Sequence, residues 1–167
     1  MTFRIGILTT HPIQYQVPWF RLLAAQPSIG LEVFYCMMPD AAQQGAGFGV
    51  EFKWDIPLLD GYRYRVLENI ASTPSVTHFS GCDTPSIFKI VRDEHWDAFV
   101  VNGWVAKSCL QLLAACRRYK VPCIVRGESN TLRDRAFWKQ LLQRVLVIQY
   151  NAFLSYGEAN RSIYRQH

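Results

Sequence analysis

Residues 3–37 read FRIGILTTHPIQYQVPWFRLLAAQPSIGLEVFYCM, and this stretch decides the fold. Its first seven residues form an apolar run without helical period, which predicts a buried parallel strand at Phe3–Thr9. Apolar side chains then recur at helical spacing over residues 16–25, and the run at 31–37 predicts a second strand. The order strand, helix, strand indicates a parallel sheet, because parallel neighbours need a crossover about as long as a helix.

The same alternation continues along the chain. Helices are predicted from residue 83, at Lys107–Tyr119, at 134–148 and from residue 158, and strands at 52–56, 64–67, 98–101, 122–125 and 153–155. Residues 39–50 contain three glycines and no periodicity, which indicates a long loop. We therefore predict a Rossmann-like α/β domain with three layers, in which helices cover a mostly parallel sheet.

The composition fits one globular domain and excludes a disordered chain. Half of the 167 residues are hydrophobic, and the net charge of +5 makes anionic partners such as phosphates or acidic lipid plausible. The basic residues are scattered, which argues against a nucleic-acid partner. With no run of 18 apolar residues and no leader signal, we expect a cytoplasmic protein. The five cysteines form no CxxC pair and are expected to be reduced and mostly buried.

Candidate site residues lie in the loops after three predicted strands, because ligands of open α/β sheets bind beyond the carboxyl ends of the strands. In the first loop, His11 could donate to a phosphate or sugar hydroxyl, or it could bond the backbone as a structural residue. Gln14 and Tyr15 precede a helix whose free N–H groups favour anions, although polar residues there also serve as caps.

The loop after the 122–125 strand supplies a carboxylate. Glu128 could accept hydrogen bonds from sugar hydroxyls or act as a base, or it could form an ion pair with Arg126, Arg133 or Arg135. Gly127 would let a ligand approach the backbone, and Ser129 adds a further polar group.

The loop after the 98–101 strand contributes polar and aromatic groups. Asn102 and Gly103 end the strand, and Trp104 and Lys107 could stack on a sugar ring and hold a phosphate. The alternative for Trp104 is a place in the core.

The remaining sequence features are two binding motifs that the chain lacks and one apolar stripe with two possible interpretations. The GAGFG sequence at 45–49 lacks the GxGxxG spacing of dinucleotide-binding proteins, and no GxxxxGK[ST] or metal-ligand spacing occurs, so neither a cofactor nor a metal is expected. Along the helix at 134–148 one face carries Phe137, Leu141, Val145 and Ile148. We expect that stripe to pack in the core, with contact to an anionic lipid surface as the alternative.

Residues 5–21, IGILTTHPIQYQVPWFR, resemble the N-terminus of bacterial retaining glycosyltransferases of the GT-B fold, sequence family four. RGES at 126–129 and NRSIYR at 160–165 resemble the same group. This likeness covers nearly the whole chain, and HPIQYQVP is its most specific element.

The resemblance implies that residues 1–167 are the N-terminal, acceptor-side domain of an enzyme of hexosyltransferase type. A C-terminal domain would bind most of the nucleotide-sugar donor and carry the family's pair of glutamates with seven residues between them, a spacing that no pair here shows. The isolated domain is then expected to be inactive. The acceptor would be a glycan, a lipid or a small molecule, and contact with the inner face of a membrane stays open.

One departure from the family pattern affects the expected catalytic residues. Many members carry a histidine at a strand end where this chain has Asn102 or Arg126-Gly127-Glu128. Either Glu128 or Arg126 takes part of that role, or the other domain contacts the sugar, while His11 would face the cleft. The competing hypothesis is a free-standing α/β ligand-binding or interaction domain without catalysis.

Overall fold

A computed structural model describes residues 1–38, 57–127, 141, 144–155 and 157 of the chain. The strands of its sheet are β1 (Phe3–Thr9), β2 (Ile29–Tyr35), β3 (Arg63–Val66), β4 (Ala98–Asn102), β5 (Cys123–Gly127) and β6 (Ala152–Ser155). Its helices are α1 (Val17–Ala24), α2 (Ile87–Asp93) and α3 (Lys107–Tyr119), with a 3-10 turn at Phe79–Gly81. Residues 141 and 144–147 are also helical.

The six strands form one parallel sheet in the order β3-β2-β1-β4-β5-β6. β1 lies at the centre, and it pairs with β2 over its full length, from Phe3 opposite Ile29 to Thr9 opposite Tyr35. On its other side Gly6 lies opposite Phe99 of β4. This order and the flanking helices confirm the predicted Rossmann-like α/β domain.

Each face of the sheet buries its own core, because successive side chains of a strand point to opposite faces. Phe20 of α1 packs with Ile7, Val33 and Val100 on the face that we call the α1 face. The opposite face, which we call the α2–α3 face, is larger and holds, among others, Leu8, Phe34, Phe99, Val101, Ile87, Val91, Cys109 and Leu112. The two cores position the loops at the carboxyl ends of the strands.

Most element boundaries agree with the sequence pattern. The strand at Phe3–Thr9 and the helix at Lys107–Tyr119 match residue for residue. Helix α2 starts later than expected, at Ile87, because the Ile87 amide bonds the Thr84 carbonyl three residues back in a tighter turn. The predictions for 39–50, 52–56 and the helix from 158 lie outside the described residues, as does the first part of the helix at 134–148.

The predicted burial of the 134–148 stripe is wrong where the structure describes it. Leu141, Val145 and Ile148 are each more than half exposed. Val147 is buried instead, and Leu146 packs against the core of the α2–α3 face, where Tyr150 is also buried. The buried face is therefore offset from the most regular apolar stripe, because the chain must continue directly into β6 beside β5.

The cysteine prediction is confirmed. All five thiols are free and buried. Within the described part of the chain, no helix has the length and apolar character needed to cross a membrane.

Candidate functional site

The candidate site lies where β1 and β4 are neighbours at the centre of the sheet. The chain leaves β1 toward β2 on one side, whereas β4 leads to β5 on the other side. The loops that follow β1 and β4 therefore diverge and leave a crevice at their carboxyl ends, which is the usual ligand position in such sheets. This topology brings the first candidate loop, at His11, next to the second, at Asn102 and Gly103.

Three polar side chains lie at or next to the carboxyl ends of adjacent strands, on the α1 face of the sheet. Thr9 ends β1 two residues after buried Ile7, and Asn102 ends β4 two residues after Val100. Arg126 lies opposite Asn102 in the β4–β5 pairing. We call Thr9, Asn102 and Arg126 the polar row. The apolar side chains of the α1 face are thus followed by hydrogen-bonding groups at the carboxyl ends of these three strands.

Gln16, the residue before α1, links two members of the polar row. Its Oε1 accepts one hydrogen bond from Thr9 Oγ1 at 3.1 Å and another from Asn102 Nδ2 at 3.1 Å. Gln16 is 4% exposed, so its carboxamide is held inside the protein rather than in solvent. Since an amide oxygen only accepts, these two donors fix the orientation of the Gln16 side chain.

Arg126 is held from two sides. Its Nη1 donates to Asn102 Oδ1 at 3.5 Å, and its guanidinium carbon lies 4.5 Å from the ring centroid of Trp19 on α1. Its backbone carbonyl accepts from the Gly103 amide at 2.7 Å. Gly103 has φ +85°, and an added Cβ would meet no atom of the described part of the chain within 4 Å, so the left-handed backbone favours glycine there.

His11 is partly buried beside this edge. Its Nδ1 lies 2.9 Å from Thr10 Oγ1, and burial lowers the pKa of the ring below its usual value. The imidazole is therefore neutral near pH 7 and can accept or donate one hydrogen bond, but it does not supply a positive charge there.

The lowered pKa of His11 predicts a loss of stability in acid. The unfolded chain takes up a proton near pH 6.5, while the folded ring resists it, so the free energy of unfolding should fall as the pH drops below about 6.5 and stay flat above it. Denaturant unfolding at pH 7.5 and pH 5.5 measures this loss. A smaller loss in His11→Gln is expected, and equal losses in both proteins would contradict the assignment.

Lys107 has a structural partner that the sequence did not reveal. Its Nζ lies 2.6 Å from Asp83 Oδ2, and Asp83 Oδ1 accepts from Gln111 Nε2 at 2.7 Å. The hydrogen bond from Lys107 lowers the pKa of the Asp83 carboxyl. This pair fastens the first turn of α3 to the segment before α2. A phosphate at Lys107 would therefore have to share the ammonium with Asp83.

The remaining candidates divide between exposed, packed and undescribed positions. Gln14 and Tyr15 are exposed, and Trp104 is partly buried against the core of the α2–α3 face. Gly127 is buried at the end of β5, where it pairs with Ser155 of β6. Glu128 and Ser129 lie outside the described residues, so their predicted roles stay predictions.

Sequence reasoning missed Thr9, Gln16 and Trp19. Side chains two residues apart in a strand share a face, so Thr9 lies on the same face as Ile7. Side chains three residues apart in a helix also share a face, so Trp19 lies on the same face as Gln16. These spacings in the sequence could have predicted which face Thr9 and Trp19 occupy. The sequence could not predict that Gln16 pairs with Asn102, because the two residues lie 86 positions apart.

Taken together, the crevice offers a fixed cation, two carboxamides, a threonine hydroxyl and a neutral imidazole. Such groups bind hydroxyl-rich and anionic ligands, and without a described carboxylate they provide orientation and charge stabilisation rather than a complete acid–base pair. Comparison of the chain with protein-family models and with curated proteins found no match, so the resemblance described above rests on the residues of the chain alone.

Proposed function

We propose that this chain is the acceptor-side domain of a retaining glycosyltransferase that uses a nucleotide-sugar donor. The observation that carries the proposal is the Gln16–Asn102 hydrogen bond across the β1–β4 crevice, with Arg126 held at its end. It supports a ligand site at the edge where α/β sheets bind substrates. The HPIQYQVP segment and Arg126-Gly127, the first half of the RGES segment, lie at the same edge, and both segments resemble the family.

In the proposed reaction, the domain's residues orient the sugar and stabilise charge. Departure of the nucleoside diphosphate develops negative charge, which fixed donors stabilise better than water does. Arg126 would supply positive charge at the crevice, and neutral His11 would hydrogen-bond a hydroxyl or phosphate oxygen. Glu128 would contact the transferred sugar or the acceptor. Most donor contacts would come from a second domain, and membrane contact would bring the enzyme to a lipid-linked acceptor.

The activity is tested with the full-length protein that carries this chain. Nucleoside diphosphate release is measured with a panel of nucleotide-sugars and with glycan, lipid and small-molecule acceptors. We expect His11→Ala and Glu128→Ala to lower turnover at least tenfold while the free energy of unfolding changes by about 1 kcal/mol or less. Matched controls are His95→Ala and Glu68→Ala, because both residues are exposed and lie outside the three candidate loops.

Two outcomes would contradict the proposal. One is a coding sequence that stops directly after His167, because no domain would then be left for the donor. The other is sugar or nucleotide binding without any diphosphate release across the panel, which would favour a free-standing ligand-binding domain. A second βαβ pattern after His167, with two glutamates that have seven residues between them, would support the enzyme.

A further inference from the structure

We infer that a notch beside β2 binds the C-terminal residue of an extended peptide. β2 begins at Ile29, whereas its pairing with β3 begins only at Glu32, opposite Arg63. Within the described sheet, residues 29–31 therefore have a strand neighbour on the β1 side only, and we call the space on their other side the β2 notch. It lies at the amino end of the strands, away from the β1–β4 crevice, so the inference does not depend on the proposed function.

The β2 notch has the size of a ligand pocket. It is a cavity of about 570 Å³. This volume falls within the roughly 300–1,000 Å³ that is usual for ligand pockets. Ala24 at the end of α1, Ile29 and Tyr62 are among the residues that line it. They offer apolar and aromatic groups, so an apolar side chain of a ligand would be favoured there.

The Leu31 amide is a donor without an acceptor in the described part of the chain. In a parallel ladder, the N–H and C=O groups of every second residue face the same neighbouring strand. The Leu67 amide donates to the Tyr35 carbonyl at 2.8 Å, so the odd-numbered residues of β2, Leu31 included, face the β3 side. The ladder with β3 begins only one residue later, at Glu32. Leu31 is 5% exposed, and buried N–H groups without a partner are rare, so an acceptor from outside the chain is expected.

A peptide group is the ligand that matches this edge. The Ile29 carbonyl faces the same side as the Leu31 amide, and no described residue donates to it. One residue of an added parallel strand would satisfy both groups, because its N–H donates to the Ile29 carbonyl and its own carbonyl accepts from the Leu31 amide. Since Tyr62 leads directly into β3, the added strand must end in the notch. Its last residue would therefore present a carboxylate to the Leu31 amide.

Arg63 supplies positive charge for that carboxylate. It is exposed at the start of β3, lines the β2 notch and forms no ion pair with a described residue. Among the described lining residues the acidic one is Glu32, and Arg65 at 2.9 Å and Arg4 at 3.7 Å compensate its charge. A guanidinium and a carboxylate form charge-assisted hydrogen bonds, which are stronger than neutral ones. The charge of the notch thus favours a free C-terminus.

The test titrates the peptide acetyl-Gly-Ala-Leu, which has a free C-terminal carboxylate, into the ¹⁵N-labelled chain. We expect the Leu31 amide resonance to shift as the peptide binds. The same peptide with a C-terminal amide should bind about tenfold more weakly, because it lacks the charge. A peptide that is N-methylated at its last residue cannot donate to the Ile29 carbonyl and should bind about fivefold more weakly.

Arg63→Gln tests the charge from the side of the protein. We expect it to weaken binding of the free-acid peptide about tenfold, because a hydrogen bond to a charged group is lost. Arg117→Gln is the matched control, since Arg117 is exposed in the last turn of α3 and does not line the notch. Its affinity should stay within twofold of the wild type.

Hydrogen exchange provides a readout that does not rest on affinity. In the free chain, the Leu31 amide should exchange faster than the Val33 amide, which lies inside the β2–β3 ladder. Saturating peptide should slow exchange at Leu31 and leave Val33 unchanged. Equal rates in the free chain would show that the Leu31 amide already has a partner, and the inference would then be wrong.

Other outcomes would also overturn the inference. One is an unshifted Leu31 resonance, and another is an amidated peptide that binds as tightly as the free acid. A third is sodium acetate that shifts the same resonances at the same concentration, since the notch would then bind a simple carboxylate rather than a peptide. None of these results involves diphosphate release, so a failure of the glycosyltransferase proposal is seen separately.

Discussion

The Gly6→Ala variant is expected to lose about 3 kcal/mol of unfolding free energy. A Cβ at Gly6 would lie 2.2 Å from Cε1 and 2.6 Å from Cδ1 of the Phe99 ring, which covers Gly6 from the neighbouring strand. Phe99 cannot retreat easily, because its ring packs 4.9 Å from Trp96 and 5.8 Å from Phe34, measured between centroids. Denaturant unfolding measures the loss, which is a large fraction of the roughly 5–15 kcal/mol by which native proteins are stable.

A double-mutant cycle assigns the Gly6 effect to the Phe99 ring. Phe99→Ala alone should cost about 3–5 kcal/mol because it leaves a cavity. Adding Gly6→Ala in that background should cost less than about 1 kcal/mol, since the clashing atoms are gone. Gly30→Ala is the control, because among the described residues the nearest atom to its Cβ would be Thr2 Cγ2 at 3.7 Å, an ordinary van der Waals contact. Additive losses in the cycle would refute the proposed contact.

The Gly81→Ala variant is expected to lose about 2–3 kcal/mol, again from overpacking. Here the added Cβ would lie 2.2 Å from the carbonyl oxygen of Ser75, which is backbone and has no side-chain rotation to relieve the contact. The Ser75 amide donates to the Gly81 carbonyl at 3.0 Å, and Asn69 Nδ2 donates to the same carbonyl at 2.9 Å. Displacement of Gly81 would strain both hydrogen bonds.

The Gly81 contacts bear on the candidate site because Asn69, which bonds the Gly81 carbonyl, also bonds the Asp83 amide. Asn69 Oδ1 accepts from the Asp83 amide at 2.8 Å, and the Asp83 carboxylate holds Lys107. Hydrogen exchange in Gly81→Ala should therefore accelerate at the Ser75 and Asp83 amides. Gly157→Ala, where an added Cβ would meet no atom of the described residues within 4 Å, is the control. Equal stability of the two variants would show that the loop adapts freely.

The candidate site was predictable in its location but only partly in its contacts. The switch-point rule selected the loops at His11, Asn102 and Arg126 from the order of predicted elements, and the structure brings Asn102 and Arg126 into contact. Lys107 was placed correctly at the start of its helix, yet its partner Asp83 lies 24 residues away in sequence. Local patterns fix which residues end a strand, whereas a partner depends on how distant elements pack.

The sequence by itself determined the parallel α/β class, the bounds of β1 and α3 and the edge of the sheet at which the candidate loops lie. These follow from local periodicity and from the crossover length that parallel strands require. Only the tertiary structure decided that Gln16 faces Asn102, that Trp19 covers Arg126 and that Phe99 covers Gly6. Each of those contacts joins residues more than 80 positions apart in sequence, so strand order and register, rather than any local propensity, bring them together.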